Sequence, residues 1–382
     1  DNTPALSGTA EPGSTVEVTV NGQTYSVTAD ASTGAWTLPA TATLPDGTYT
    51  PVIKVTDGAG NASTVNGTPF TVDTSAPLLA GDLSQSSDSN GTLAGQTVGT
   101  HADHITNDTT PAFTGSGEVG ATITLVLANA TYKTTVASDG TWTIDTGNVT
   151  SGGFVAGNAN TYATFSSGSA LDLALPDNGP NTDNSKAFSV TVTATDAAGN
   201  ASSTVTIPVT IDTIVTDPTI DITNGVSPVT GTGEPGASVV LYESISVATT
   251  SSGITFDLDA GTWTATVTAL ASGHEFTTSQ PRDYAITTVS GTTVSGTLSA
   301  AGIAALQGVG DFTLYDSVQI GTTATVAADG RWSIVFGAPL SNGKTLTVNS
   351  VDLAGNIDPP GVQIVTVDIN TPLVNPTNGN TV

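Results

Sequence analysis

The sequence predicts an all-β protein, organised as a tandem array of small antiparallel β-sandwich modules. Composition is the first reason: threonine, valine, alanine, serine and glycine dominate, and aromatic residues make up only 5% of the chain. Branched residues suit pleated strands, while glycine, asparagine and serine suit the turns between them. A repeated unit is the second reason. Thr195-Asp196-Ala197-Ala198-Gly199-Asn200-Ala201-Ser202 leads into alternating residues that end at Asp212, and near copies run from Thr56 to Asp73 and from Val351 to Asp368. Alternation marks a half-buried strand, and Gly-Asn between two such runs marks a tight connection. Each copy therefore reads as a β-hairpin with one carboxylate at its tip and another at its far end. The third reason is tryptophan: Trp36, Trp142, Trp263 and Trp332 each follow a glycine-containing turn. One large ring fills the space between two sheets, so these read as core residues rather than a sugar-stacking platform.

Taken in order, module one covers 1–77. Pro4 to Ala10 is a first strand, Glu11-Pro12-Gly13 turns it, and Val16, Val18 and Val20 share a face of the next. Asn21-Gly22 is a two-residue hairpin signal. Residues 78–107 form a polar junction segment, and 108–213 form module two, with a Gly/Ser/Asn-rich insertion at 148–186. Loops of this length are functional or mobile more often than neutral. Leu171, Leu173 and Leu175 give the insertion an apolar patch, open to local packing or to a contact. Module three, 214–289, is divergent: it keeps Glu234-Pro235-Gly236 and an aspartate at Asp283 but lacks Ala-Gly-Asn. Module four spans 290–372, and 373–382 reads as the start of a next repeat. Whether 214–372 is two modules or one elaborated module stays open. The nearest approach to an amphipathic helix, Ser299 to Gln307, is short.

Charge excludes several functions. The chain carries 33 acidic and 6 basic residues, for a net charge of −27. Nucleic acid and anionic membranes are repelled by such a surface, and divalent cations are attracted. Solubility alone is the plainer reading of the same acidity. There are no cysteines, which removes disulfides and thiol chemistry. No apolar run approaches the roughly 20 residues of a membrane span. The opening Asp1-Asn2-Thr3-Pro4 has the look of mid-repeat sequence, and the chain is expected to be a monomeric fragment of a longer polypeptide.

Catalysis has little to work with. His101, His104 and His274 have no neighbouring nucleophile motif, and no phosphate-cradling loop or His-Glu-x-x-His is present. Paired carboxylates are plentiful, as in glycosidases, but they recur with the repeat, whereas an active site is unique. The chain is therefore expected not to be an enzyme.

Cation binding is better supplied. Ca²⁺ takes about six to eight oxygen ligands from carboxylates, asparagine side chains and carbonyls. In an antiparallel sandwich, the loop before the last strand lies at the same end as the N-terminus. This places Asp57 and Asn61 near Asp1, Asp196 and Asn200 near Asp103 and Asp108, and Asp283 near Asp217 and Asp221. Asp352 and Asn356 carry the third copy of the tip. The closing aspartates Asp73, Asp212 and Asp368 then enter each junction from the preceding module, beside the turns of Glu11, Glu118 and Glu234. Bare, these carboxylates repel; with Ca²⁺ they clamp the modules together. Turn capping by Asp and Asn accounts for the same residues without a metal, and both readings stand.

The ordered set Gly-Glu-Pro-Gly, Asp-Gly-x-Trp, Asp-x-Ala-Gly-Asn and Val-Asp-x-x-x-Pro resembles the bacterial Ig-like repeats of giant adhesins, the biofilm-associated and RTX-type proteins exported by type I secretion. The likeness covers modules one, two and four, and is weak in module three. It implies Ig-like sandwiches in an elongated rod, extracellular at the bacterial cell surface. The rod would be a stalk rigidified by Ca²⁺, holding out an adhesive tip for cell adhesion and biofilm formation. Its partners would be calcium ions, neighbouring repeats and a host or biofilm glycan or protein, with no nucleic acid and no membrane insertion. The alternative is a ligand-binding adhesive module that uses the 148–186 insertion and module three.

Overall fold

The computed structural model describes residues 1–39, 43–176, 183–221, 227–249, 253–267, 274–278, 284–290, 292–298, 313–337, 340, 345–357 and 365–366. Among the described residues every regular element is a β-strand, as the composition predicts. No described helix is long and apolar enough to cross a membrane. Two compact units divide the chain: Asp1–Asp82 with Phe113–Ala170 and Val190–Ile207, and Leu83–Ala112 with Leu171–Ser189 and Pro208–Val382.

The first sandwich packs a four-stranded sheet against two shorter strand pairs. The sheet runs Gln23–Thr28, Thr15–Val20, Val52–Thr56, Ala62–Asn66; the pairs are Leu6–Thr9 with Ala35–Leu38, and Gly47–Tyr49 with Phe70–Val72. Alternation does what the sequence predicts: Val16 and Val18 are fully buried and join Trp36 and Leu38 in the core. Asn21 and Gly22 both take positive φ, 50° and 75°, which a two-residue turn matching the strand twist requires. Pro51 and Pro69 interrupt the long closing hairpin, because proline has no amide for the ladder.

The second sandwich has a six-stranded sheet in the order Ile105–Thr106, Val205–Ile211, Lys186–Thr195, Thr122–Leu127, Ala130–Thr135, Tyr162–Phe165. Thr141–Asp145, Ala112–Gly117 and Leu79–Leu83 form the other sheet. The junction segment thus supplies strands of its own, together with a hairpin, Gly91–Leu93 with Gln96–Val98. The insertion adds the strand Tyr162–Phe165 and buries Leu173, with Leu171 and Leu175 half-buried.

From 216 onward the strands interleave. Val229–Thr232, just ahead of the Glu234 turn, pairs with Arg331–Ile334, which carries Trp332. Ser238–Thr249 lies between Thr313–Thr325 and Thr345–Val351, and its Val239 and Leu241 share a core with Trp332 and Val348. Trp263 belongs to a different cluster, with Ala265, Val294 and Leu314. It stands on a four-stranded sheet, in the order Ile254–Asp257, Thr262–Thr266, Thr293–Leu298, Tyr284–Ser290. The short helix considered at Ser299 to Gln307 lies outside the described residues.

Candidate metal centres

The Asp-x-Ala-Gly-Asn tips share one geometry, dictated by their residue types. In each, the aspartate amide donates to the asparagine carbonyl, and the glycine amide donates back to the aspartate carbonyl. The asparagine amide donates to aspartate Oδ1 at 2.8 Å, and its side-chain Nδ2 donates to Oδ2 at 2.7–2.8 Å. Gly60, Gly199 and Gly355 hold φ of 91°, 92° and 85°, a conformation in which a side chain is strained. Turn capping is therefore fully realised at all three tips. Each carboxylate oxygen still keeps lone pairs for a further partner.

At two tips that partner environment is acidic. Asp73, Glu118 and Asp196 bring carboxylate oxygens within 4.8 Å of one another. Asp73 closes the first sandwich, Glu118 is the turn of the second, and Asp196 is the second's hairpin tip. Asn200 ties them by donating Nδ2 to the Asp73 carbonyl at 3.1 Å as well as to Asp196. Burial pushes the Asp196 pKa up, but the bonds from Asn200 and from the Ala198 and Gly199 amides together outweigh it, and the group ends below its ordinary value.

The second group repeats the plan with a more crowded cast. Asp183, Asp212 and Glu234 lie within the same 4.8 Å limit. Asn356 reaches the Asp212 carbonyl at 2.9 Å and Asp352 Oδ2 at 2.7 Å. Burial, followed by the charges of Asp352 and Asp183, raises Asp212 to about 7 despite the Ile214 amide. Burial, followed by Asp352, Asp212 and Asp183, raises Glu234 to about 8 despite the Thr216 amide. Asp352, 1% exposed, is also raised by burial. Among the described residues the one ion pair is Lys54–Glu17, on the first sandwich. Clustered carboxylates are the donor set that hard, oxygen-seeking divalent cations take.

Other expected ligands lie elsewhere. Asp57 is held by Asn61 and its pKa is lowered by that bond; Asp57, Asn61, Asp1 and Glu11 join neither carboxylate group among the described residues. Asp103 and Asp108 accept from the Thr100, Ile105 and Thr110 amides and work as turn caps. Asp217 is half-buried, and Asp221 bridges to Thr230. Asp283 and Asp368 lie outside the described residues. Sequence reasoning missed Asp183, which belongs to no repeated motif. Its neighbour Asn184 donates to Thr213 Oγ1 and accepts the Thr213 amide, which pins Asp183 beside Asp212.

Residues 1–74 and 83–157 each match the bacterial Ig-like domain family. No curated protein matches the chain. Among solved structures it is similar to a Ca²⁺-stabilised adhesin that helps an Antarctic bacterium bind ice, at 21% identity over 95% of this chain and 92% of that one, with a TM-score of 0.28. A 1.5-MDa bacterial ice-binding adhesin is similar at 18% identity over 95% and 89%, with a TM-score of 0.30. A tetra-tandem repeat from the extending region of a large adhesion protein is similar at 16% identity over 97% and 96%, with a TM-score of 0.22. Sheet order and core tryptophans over residues 1–74 and 83–157 agree with that match to the bacterial Ig-like domain family.

Proposed function

We propose that this chain is a structural, non-enzymatic stretch of a bacterial cell-surface adhesin, in which Ca²⁺ ties successive Ig-like sandwiches together. One observation carries the reading: a closing aspartate and a glutamate turn meet twice, as Asp73–Glu118 with Asp196 and as Asp212–Glu234 with Asp183. The tip aspartate Asp352 is near enough to raise both Asp212 and Glu234. A recurring site suits a repeated joint, whereas catalysis calls for a unique one. Each closing aspartate belongs to one sandwich, and the glutamate turn and hairpin tip belong to the next. An ion shared among them resists their separation. Three carboxylates supply up to six oxygens, and main-chain carbonyls such as that of Asp73 complete a Ca²⁺ shell. Outside the cell, at roughly millimolar Ca²⁺, even weak sites of this kind are filled. The adhesive surface itself is assigned to no residue of this chain.

Calorimetric titration of the full chain with Ca²⁺, paired with limited proteolysis, tests the reading. Saturable binding is expected, with protection of the 73–78 and 212–217 segments. Asp196→Asn should remove the first site and Asp212→Asn the second. Absence of binding at millimolar Ca²⁺, or identical proteolysis in chelator, refutes it.

A further inference from the structure

Val239-Val240-Leu241-Tyr242 breaks the alternation that shapes its counterpart strands. Counted from the glutamate turns, Val240 stands where Glu17 and Thr124 stand in the first two sandwiches, and Tyr242 where Thr19 and Val126 stand. Glu17, Thr19 and Thr124 are half-buried and Val126 is 40% exposed, as the solvent side of a sheet allows. Val240 and Tyr242 are 0% and 3% exposed. An unbroken apolar run belongs to a strand covered on both faces. Val239 and Leu241 face the core of Trp332, so the outer pair needs a cover of its own.

The junction segment is that cover. Leu93 and Val98, on the hairpin Gly91–Leu93 with Gln96–Val98, form one buried cluster with Val240, Tyr242 and Val351, and Leu353 packs against it. The approach is close. A side chain at Gly91 would begin 2.3 Å from Val351 Cγ2, and one at Gly99 would begin 2.1 Å from the Leu353 carbonyl. The Ser89 hydroxyl donates to the Ala354 carbonyl at 2.5 Å. The base of the hairpin is fastened in turn. His101 Nδ1 meets the Asp88 carbonyl at 2.5 Å, the His104 amide donates to Asp88 Oδ2 at 3.2 Å, and the Thr106 hydroxyl donates to the Ser87 carbonyl. Ile105–Thr106 then runs parallel to Thr210–Ile211, and the Thr210 and Asp212 amides donate to the His104 and Thr106 carbonyls at 2.8 and 2.9 Å. One segment therefore holds both the closing strand ahead of Asp212 and the outer face of the sheet that follows it, all within one compact unit.

We propose that residues 88–101 are a clasp that fastens the third sandwich to the closing strand ahead of it without any cation. Its grip on the outer sheet face consists of apolar side chains, close backbone approach at Gly91 and Gly99, and the Ser89 bond. Apolar burial of this kind needs no counter-charge, so removing a divalent ion leaves it in place. The hold is separate from the Ca²⁺ sites described above and stands or falls apart from them.

The chain has no cysteine, so Val240→Cys places a single thiol beneath the clasp. In the full chain this thiol is expected to react with a maleimide about a hundredfold more slowly than after denaturation, and at one rate in chelator and in millimolar Ca²⁺. Adding Leu93→Ser with Val98→Ser, or Gly91→Val alone, is expected to speed labelling about tenfold or more while amide exchange at Val239 and Leu241 stays unchanged. Labelling in chelator at the denatured rate, or about tenfold faster than in Ca²⁺, overturns the proposal. So does a rate that neither hairpin variant changes. Acceleration matched by lost protection at Val239 and Leu241 overturns it too, because the sandwich rather than the clasp has then opened.

Discussion

The two carboxylate groups draw on the same three motifs yet rest in different charge states. In the first, Glu118 is exposed, Asp196 is 7% exposed, and the Asn200 bonds hold Asp196 below its ordinary pKa. In the second, Glu234 is half-buried, Asp352 is 1% exposed, and Asp183 adds a further acid. There, Asp212 and Glu234 rise to about 7 and about 8. The motif selects the ligands, and the surroundings decide whether they stand charged or hold protons while they wait. In the first group, Asp196 stands charged at neutral pH. The second group must shed protons to receive a cation.

The largest expected effect of this contrast is on stability against pH without Ca²⁺. A carboxyl whose folded pKa is raised binds more protons folded than unfolded, so it stabilises at low pH and loses that contribution as pH rises through the folded value. For Asp212 and Glu234 the loss runs from about pH 4 up to about 8. Unfolding of the second unit in chelator should weaken across that window, on the order of 4 kcal/mol for groups shifted this far. Asp196, lowered, contributes the opposite slope at more acid pH. Denaturant midpoints at pH 5 and 8 read the first slope and midpoints below about pH 4 the second, and a second unit equally stable at pH 5 and 8 would break the comparison.

Next in size is the loss of the asparagine that ties each group. Asn356→Ala strips donors from Asp352 and from the Asp212 carbonyl in a buried setting, and about 3 kcal/mol is expected. Asn200→Ala, at the more open group, should cost about 1 kcal/mol. Equal losses would show that the hairpin turn, common to both, is all that asparagine serves.

The legible part of this molecule was what repeats. The alternating valines of Thr15–Val20 read as strands with one buried face, and the Asp-x-Ala-Gly-Asn copies include Asp196, one member of the first acidic group. Of the expected neighbours, the closing aspartate Asp73 and the glutamate turn Glu118 gather at the Asp196 tip, whereas Asp103 and Asp108 accept from amides of their own turns. Asp183 was illegible, because a single aspartate at the end of a polar insertion carries no period, and only the Asn184–Thr213 bonds bring it home. Interleaving after residue 216 was hidden for a related reason. Trp263 follows the same turn grammar as Trp332, yet it sits on a separate sheet, and local pattern does not encode which distant strand a strand will pair with.

Metal affinity sharpens the contrast further. Because carboxylates must be deprotonated to bind, an ion at the second group displaces protons near neutrality. Its Ca²⁺ affinity should rise about tenfold per pH unit between 6 and 7 for each proton displaced, while the first group's stays flat. Calorimetry on Asp196→Asn and Asp212→Asn chains isolates the two sites, and parallel pH profiles would contradict the assigned charge states.

The smallest effect belongs to Glu118. Its side chain is exposed, so Glu118→Gln should leave Ca²⁺-free stability within about 0.5 kcal/mol, as surface changes do. Glu234→Gln, by removing a group that burial and three neighbouring acids oppose charging, should raise Ca²⁺-free stability at pH 8. Both substitutions remove a metal oxygen and should weaken Ca²⁺ binding. The pair therefore separates two quantities that a single variant would confound. If Glu118→Gln destabilised the bare protein as much as Glu234→Gln stabilised it, the glutamates would be doing structural work unrelated to a cation, and the likeness of the two groups would be one of geometry alone.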